Sequence, residues 1–400
     1  MVQSGNGVIP RLVATTRRNP TPVLGGMMLA LIVALVVGLN WAGRPPPSKP
    51  AIRAKSQPIT AMHFFNPDTG WVLSSEKLLM TRDGGAHWRD ITPGPPEPPI
   101  QLSTAHFLDP AHGWTGAVGG FGTQAVRIFR TTDGGITWKS SQVKVDQPLS
   151  ISFDFIDPQR GWLMVATQAA SPFVSAGQLF QTVDGGVTWS ALPVPPGGHP
   201  VRFVDLATGW IVAGANFDQL YITRDGGRSW HQLQVTIPTA YNQTAPALDL
   251  PGFVDSGLGS GLGVLRVMFA DGSVQLNFSN DGGQTWRSNA ALAPIFVRQP
   301  PFARNEQTIA PTFIGNGVIA VVLGKELRLL SGPEWISLKP RGFDSVVQIE
   351  FANRRVGWAV SSHLACPGSG SSAICESHQD LLRTVDSGRS WTALPVRYAG

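Results

Sequence analysis

The chain has 400 residues, with 45 glycines, 33 prolines and only 14% charged residues, a composition that fits an all-β protein rich in turns. Its formal charge of +5 is partly local, because Arg11, Arg17 and Arg18 stand in residues 1–43 without an acid, leaving 28 basic and 26 acidic residues elsewhere. There is no concentrated basic stripe of the kind a nucleic-acid surface needs, which excludes nucleic acid as the expected partner.

Residues 1–21 read as a basic tail. Pro22 to Leu39 is an uncharged, Met-, Leu- and Val-rich run of eighteen residues, just long enough to span a bilayer as a helix. We expect one uncleaved transmembrane anchor over 22–43. A cleaved signal peptide is the alternative, but Asn40-Trp41-Ala42 is a poor cleavage site and no cysteine is at hand for lipidation. Three basic residues precede the span and Arg44, Lys49, Arg53 and Lys55 follow it, so charge does not set the orientation. The expected layout is the usual one, single-pass, with the tail inside and the main domain on the extracytoplasmic side. Residues 44–56, with Pro45-Pro46-Pro47 and Pro50, read as an extended stalk.

From residue 57 to 397 one design recurs. Its clearest copy is Thr131-Thr132-Asp133-Gly134-Gly135-Ile136-Thr137-Trp138, repeated around Asp83, Asp184, Asp225, Asp281 and Asp386. A damaged copy ends at Trp335, where Leu330 replaces the aspartate. The closing tryptophans, at 88, 138, 189, 230, 286, 335 and 391, are separated by 41 to 56 residues, a period that signals a propeller or another repeat array. Asp-Gly-Gly after an apolar pair is a hairpin signal, since glycine takes positive φ freely and aspartate accepts bonds from nearby N–H groups. The six aspartates are therefore read as structural, tying turns.

A second signature precedes the first: Asp109 to Trp114, matched by Asn66 to Trp71, Asp157 to Trp162, Asp205 to Trp210 and Asn353 to Trp358. It reads as strand, tight turn, then a strand opening on Gly-Trp. Of thirteen tryptophans these two columns use all but Trp41, so the aromatics are assigned to blade packing rather than ligand platforms. Four strands per unit over 57–93, 100–143, 148–194, 199–235, 248–290, 309–339 and 345–397 predict a seven-bladed all-β propeller. In such blades both regular turns share one face. The variable segments Gly116–Ala125, Thr167–Gly177 and Ser362–Gln379 fall on the other, together with the linkers Thr236–Gly252 and Ser288–Pro311. That loop face is the expected partner-contact face, with Phe173, Glu376 and His378 as candidate contacts. The alternative is tolerated drift in the loops, with Phe173 folded onto its own blade. Cys366 and Cys375, the only cysteines, are expected to form a disulfide outside the cytoplasm; two reduced thiols are the alternative.

The two signatures, as in Phe153 to Trp162 and Phe180 to Trp189, make residues 57–397 similar to the photosystem II stability/assembly factor family of extracytoplasmic propellers, of the Asp-box or BNR-repeat type. The resemblance implies a non-enzymatic seven-bladed propeller that assists assembly of a membrane protein complex, hence a protein partner. The motifs specify the blade and not the client. The rival reading, from other Asp-box families, is a carbohydrate-binding protein or a sialidase-type glycoside hydrolase, with a glycan as ligand. A sialidase site needs an arginine triad and a tyrosine nucleophile, and other glycanases need two apposed carboxylates. Only Tyr221, Tyr241 and Tyr398 are present, and the free acids Asp68, Asp154, Asp218 and Asp255 show no pairing. No catalytic residue is assigned. The eight histidines are scattered without metal-ligand spacing, His63 and His106 occupying equivalent strand sites, so neither metal nor cofactor is expected.

Overall fold

The computed structural model describes residues 52–394 apart from 55–57, 75, 95–100, 120–123, 169–175, 237–245, 254–261, 270–272, 289–311, 315–317, 324, 332–333, 341–342, 344 and 366–374. The basic tail and the expected anchor over 22–43 lie outside the described residues. Among the described residues no helix is long and apolar enough to cross a membrane.

The strands form seven sheets; apart from one added strand in blade 7, each is built of consecutive segments whose neighbours pair antiparallel. Blade 3 shows the plan: Pro148–Phe155, Gly161–Thr167, Ala176–Thr182 and Ser190–Ala191 pair in chain order. The seven-bladed propeller expected from the tryptophan spacing is therefore the fold. The first strands, among them Ile59–Phe64, Thr104–Phe107, Val201–Phe203 and Val346–Phe351, lie innermost, where those of blades 1, 2, 3 and 4 touch in succession.

The motif spacing has a steric cause. Each first strand of five blades ends on a phenylalanine (Phe64, Phe107, Phe155, Phe203, Phe351), directly opposite the glycine of Gly-Trp. A Cβ on Gly70, Gly113, Gly161, Gly209 or Gly357 would lie 2.2–2.5 Å from a carbon of that ring. Only glycine fits beneath it. In three of these blades the ring stacks on the Gly-Trp tryptophan of the preceding blade, as Phe155 does on Trp114 at 3.5 Å and Phe203 on Trp162 at 3.6 Å. The core is accordingly built between blades: one buried cluster joins Trp114, Ile128 and Val143 of blade 2 to Ile151, Phe155 and Phe180 of blade 3.

The same joint closes the ring. Phe64 of blade 1 stacks on Trp358 of blade 7 at 3.6 Å, and the Trp358 indole N–H donates to the Gly84 carbonyl at 3.1 Å. Gln348 Nε2 donates to the Met62 carbonyl at 3.2 Å, and an Arg383 N–H to the Pro67 carbonyl at 3.1 Å, across the same boundary.

Three places depart from the sequence reading. Ile52–Ala54, read as the end of the stalk, is a strand lying parallel to Cys375–Ser377 in blade 7. Ser362–Gln379, read as a variable loop, is mostly a long hairpin of Gly357–Ala365 and Cys375–Thr384. The added parallel strand gives the hairpin's second arm a pairing partner. In blade 6 the Asp-box turn is replaced by a short connection, with Ser331 opposite Glu334.

The glycine argument gives a paired test. Gly161→Ala forces a methyl into the Phe155 ring and should cost about 1–3 kcal/mol or more, read as a fall of several degrees in Tm. Gly94, around whose Cβ nothing lies within 4 Å, should accept alanine within about 0.5 kcal/mol. Equal melting of the two variants would contradict the steric account.

Candidate functional site: the turn face and the axial ring

The six Asp-box turns are self-contained hydrogen-bond cages. In blade 2, Thr131 Oγ1 donates to Asp133 Oδ1 at 2.8 Å and accepts from Gly135 N at 2.8 Å. Asp133 also accepts from Thr137 N at 2.9 Å and from Thr137 Oγ1 at 2.5 Å. Corresponding bonds hold Asp83, Asp184, Asp225, Asp281 and Asp386. The carboxylates of Asp133, Asp225 and Asp386 are held down at about 2, chiefly by the hydroxyls of Thr137, Ser229 and Ser390. Anions so fully occupied by local donors are poor proton donors at neutral pH. The opening Thr or Ser, given no role from sequence, is the hub of each cage.

The preceding Asp/Asn turn is tied to the box of its own blade. Asp109 accepts from the N–H groups of Ala111 and His112 at 2.7 and 2.8 Å, and Gly134 N donates to the Ala111 carbonyl at 2.9 Å. The links Gly84 N to Asp68 O, Gly185 N to Gln159 O and Gly226 N to Ala207 O repeat it. Both regular turns therefore share a face. Across the seam, the Gly-Trp indole donates to a box carbonyl of the next blade: Trp114 to Gly185 at 2.8 Å, Trp162 to Gly226 at 3.0 Å, Trp210 to Gly283 at 3.1 Å. On this rigid face stand exposed apolar side chains, Ile136 in blade 2, Val183 and Val187 in blade 3, Val204 and Leu206 in blade 4.

A second constellation occupies the inner strands. His63, His106, Asp154, Arg202 and Glu350 each pair with the Gly-Trp tryptophan of their own blade, so they occupy one register position in five blades. His63 Nδ1 meets Glu350 Oε1 at 2.5 Å across the blade 1 and 7 boundary. Asp154 is buried and accepts from Phe203 N of blade 4 at 2.5 Å. Burial pushes its carboxyl up to about 6, against the pull of Arg202 and the Phe203 bond. Burial, with the Arg202 and His63 charges nearby, holds the His106 imidazole down at about 3, and its enclosed Nε2 has no hydrogen-bond partner. The sequence showed Asp154 as an unpaired acid and His63 and His106 as one column. Extending that column to every blade would have found the ring.

The remaining candidates are placed as follows. Phe173 and Cys366 lie outside the described residues, as does Asp255. Glu376 and His378 stand in a strand and not in a loop, with backbones opposite Ala365 and His363. Among the described residues no cluster of three His, Cys, Asp or Glu could hold a metal ion.

A family model described as photosynthesis system II assembly factor YCF48 matches residues 96–245, which are blades 2 to 4. The photosystem II assembly lipoprotein Ycf48 of Synechococcus sp. (strain CC9902) is 24% identical over 213 residues, 50% of this chain and 59% of that protein. Over these blades the chain is similar in sequence to photosystem II assembly factors. Two solved structures are similar to this chain. YCF48 bound to a D1 peptide has 20% identity and a TM-score of 0.44 over 74% of this chain and 82% of that one. YCF48 from Cyanidioschyzon merolae has 18% identity and a TM-score of 0.45 over 74% and 86%.

Two members of this ring, Asp154 and His106, predict a pH signature. Because the folded protein holds the Asp154 proton more tightly than the unfolded chain does, this group lowers stability as pH rises from about 4 to about 6. His106 acts oppositely, its neutral form in the fold making stability fall as pH drops from about 6.5 towards 3. Asp154→Asn isolates the first effect. Its Tm relative to the unsubstituted protein should climb between pH 4 and pH 6 and level off above. A difference independent of pH would show that Asp154 is not a strained buried carboxyl.

Proposed function

We propose that this chain is a non-enzymatic interaction module that assists assembly of a membrane protein complex. In this reading the propeller stands on the extracytoplasmic side, carried by an anchor over 22–43, and its ligand is a segment of protein. The observation that carries it is a coincidence in blades 2 to 4. The assembly-factor family model covers 96–245, and the exposed Ile136, Val183, Val187, Val204 and Leu206 stand on the turns of the same blades. Those turns are fixed by the Asp-box cages and their ties to neighbouring turns. Apolar groups on a preorganised backbone lose little freedom when a partner covers them, so more of their burial appears as affinity. The contact surface is thereby moved from the loop face expected from sequence to the turn face.

The test is affinity purification of the crosslinked full chain from its native membrane. Ile136→Ser, Val187→Ser and Leu206→Ser combined should lower partner recovery at least about tenfold, as for an interface core, with Tm unchanged. Phe173→Ala should leave recovery intact. The reverse pattern would return the contact to the loop face. Specific glycan capture with no protein partner would support the carbohydrate-binding reading instead.

The export reading also proposes a Cys366–Cys375 bridge, closing a short loop for roughly 2–3 kcal/mol in the chain-entropy model. Mass spectrometry of unreduced peptides from the native compartment should recover the linked pair. Two free thiols would count against both the bridge and the export.

A further inference from the structure

A cleft of about 380 Å³ opens between blades 4 and 5, away from the Asp-box turns. Its walls are apolar: Pro200, Val212, Leu248, Leu250, Pro251 and Val264, with Phe217 across from them. Such a volume lies within the range of small-ligand pockets, which combine an apolar lining with a few polar groups.

Phe217 is an unusual wall. It sits in the short turn between the second and third strands of blade 4 with φ of 60°, a left-handed conformation that a bulky side chain rarely adopts. The strain is held in place by two backbone bonds, Phe217 N to Gly214 O at 3.3 Å and Leu248 N to Phe217 O at 2.7 Å, the latter reaching from blade 5. Yet the ring so positioned stays 45% exposed, tilted against His199 with centroids 4.3 Å apart. A backbone strained to aim an aromatic into an open cleft is a feature of ligand sites rather than of packing. Burial pushes the His199 imidazole down, so it is a neutral hydrogen-bonding group at neutral pH.

The polar lining is unbalanced. Arg266 is buried and its Nε donates to Asp249 Oδ2, while Asp249 N donates to the Arg266 carbonyl at 3.1 Å. That pair cancels its own charge. Arg202 is exposed in the cleft and makes no ion pair among the described residues. The nearby Asp154 does not line the cleft and accepts the Phe203 amide instead. Arg202 feels the Asp154 carboxylate but makes no hydrogen bond to it among the described residues, so its guanidinium N–H groups stay open to the apolar, aromatic-walled space.

We propose that this cleft binds a carboxylate carried on a compact apolar body, with Arg202 as its charge partner and Phe217 and Leu250 as its walls. The same chemistry is offered by a free small acid and by the terminal carboxylate of a peptide ending in an apolar residue. The site is on the face opposite the turn surface and does not depend on the assembly reading.

The experiment is calorimetric or NMR titration of the full chain in detergent with four probes. These are phenylacetate, phenylacetamide, an N-acetylated tripeptide ending in phenylalanine with a free carboxylate, and its C-terminal amide. Saturable binding of an acid, at least about tenfold tighter than its amide, is expected, as a charge-assisted bond supplies. Arg202→Gln should remove that acid preference. Phe217→Gly, which relieves the strained φ, should weaken the acid at least about fivefold while Tm holds or rises. A tripeptide acid tighter than phenylacetate identifies a chain terminus as the source, and the reverse order a free acid. Absence of saturable binding by every probe, equal binding of acids and amides, or full binding by Arg202→Gln would overturn the proposal.

Discussion

The joint on which this propeller depends is a hydrogen bond from one blade's tryptophan to the next blade's turn. Trp114, Trp162 and Trp358 each place an indole over a phenyl ring of the following blade and donate Nε1–H to a carbonyl of its Asp-box. An indole buried between sheets needs such an acceptor, because an unpaired buried donor costs about 1–3 kcal/mol. The carbonyl is presentable only because the box holds its glycines at positive φ, as at Gly185 and Gly226 with φ of 72° and 75°. Each motif thus completes the other across a boundary. Blade and ring are specified together, and the joint of blade 7 to blade 1 is no different in kind.

That reciprocity explains how much the sequence disclosed. Asp133, Gly134, Gly135 and Trp138 announce themselves because local hydrogen bonding and φ requirements act within eight residues. The reason for Gly113 was harder to see, since its constraint is the Phe107 ring six positions earlier and one strand away. The axial ring was harder still. Asp154 and Arg202 lie 48 positions apart in sequence and in adjacent blades, so pairwise reading left Asp154 without a neighbour. Ile52–Ala54 carries no strand signal of its own, its place being set by the free edge of Cys375–Ser377. The hairpin over Gly357–Thr384 was obscured by the Gly/Ser run at its tip, which suggests a longer loop than the pairing allows.

The ring of polar residues follows from the same packing. With the phenylalanine committed to the neighbouring tryptophan, the residue before it falls on the other face of the first strand. Five blades fill that position with His63, His106, Asp154, Arg202 and Glu350. Polar groups of neighbouring blades meet where they can, as His63 Nδ1 does Glu350 Oε1. Burial keeps the His106 imidazole neutral, and its Nε2 has no hydrogen-bond partner among the described residues. A fold stabilised by apolar seams thereby carries strained polar groups at its centre, where buried polar groups seldom persist without a use.

The seam between blades 1 and 2 is built differently from those made by Trp114, Trp162 and Trp358, and the difference can be traced to a single exchange of positions. In blades 2 and 7 an arginine stands opposite the Gly-Trp tryptophan on the third strand, Arg130 with Trp114 and Arg383 with Trp358. Arg383 lies over its tryptophan at 5.6 Å and reaches a turn carbonyl of blade 1. Blade 1 has Met80 in that place, and Arg89, paired with Met80 on the fourth strand, supplies the guanidinium instead. From there Arg89 donates to the Gly134 carbonyl at 2.6 Å, a box carbonyl of the following blade, like those that indoles reach in other seams. Trp71 Nε1 is accordingly left buried without a partner among the described residues. Its ring stands tilted at 5.7 Å from Phe107 rather than stacked. The joint between blades 1 and 2 therefore exchanges an indole bond and a flat stack for a charge-assisted bond at the rim. It keeps the acceptor satisfied at the expense of the donor, and so the cohesion of this seam rests on Arg89.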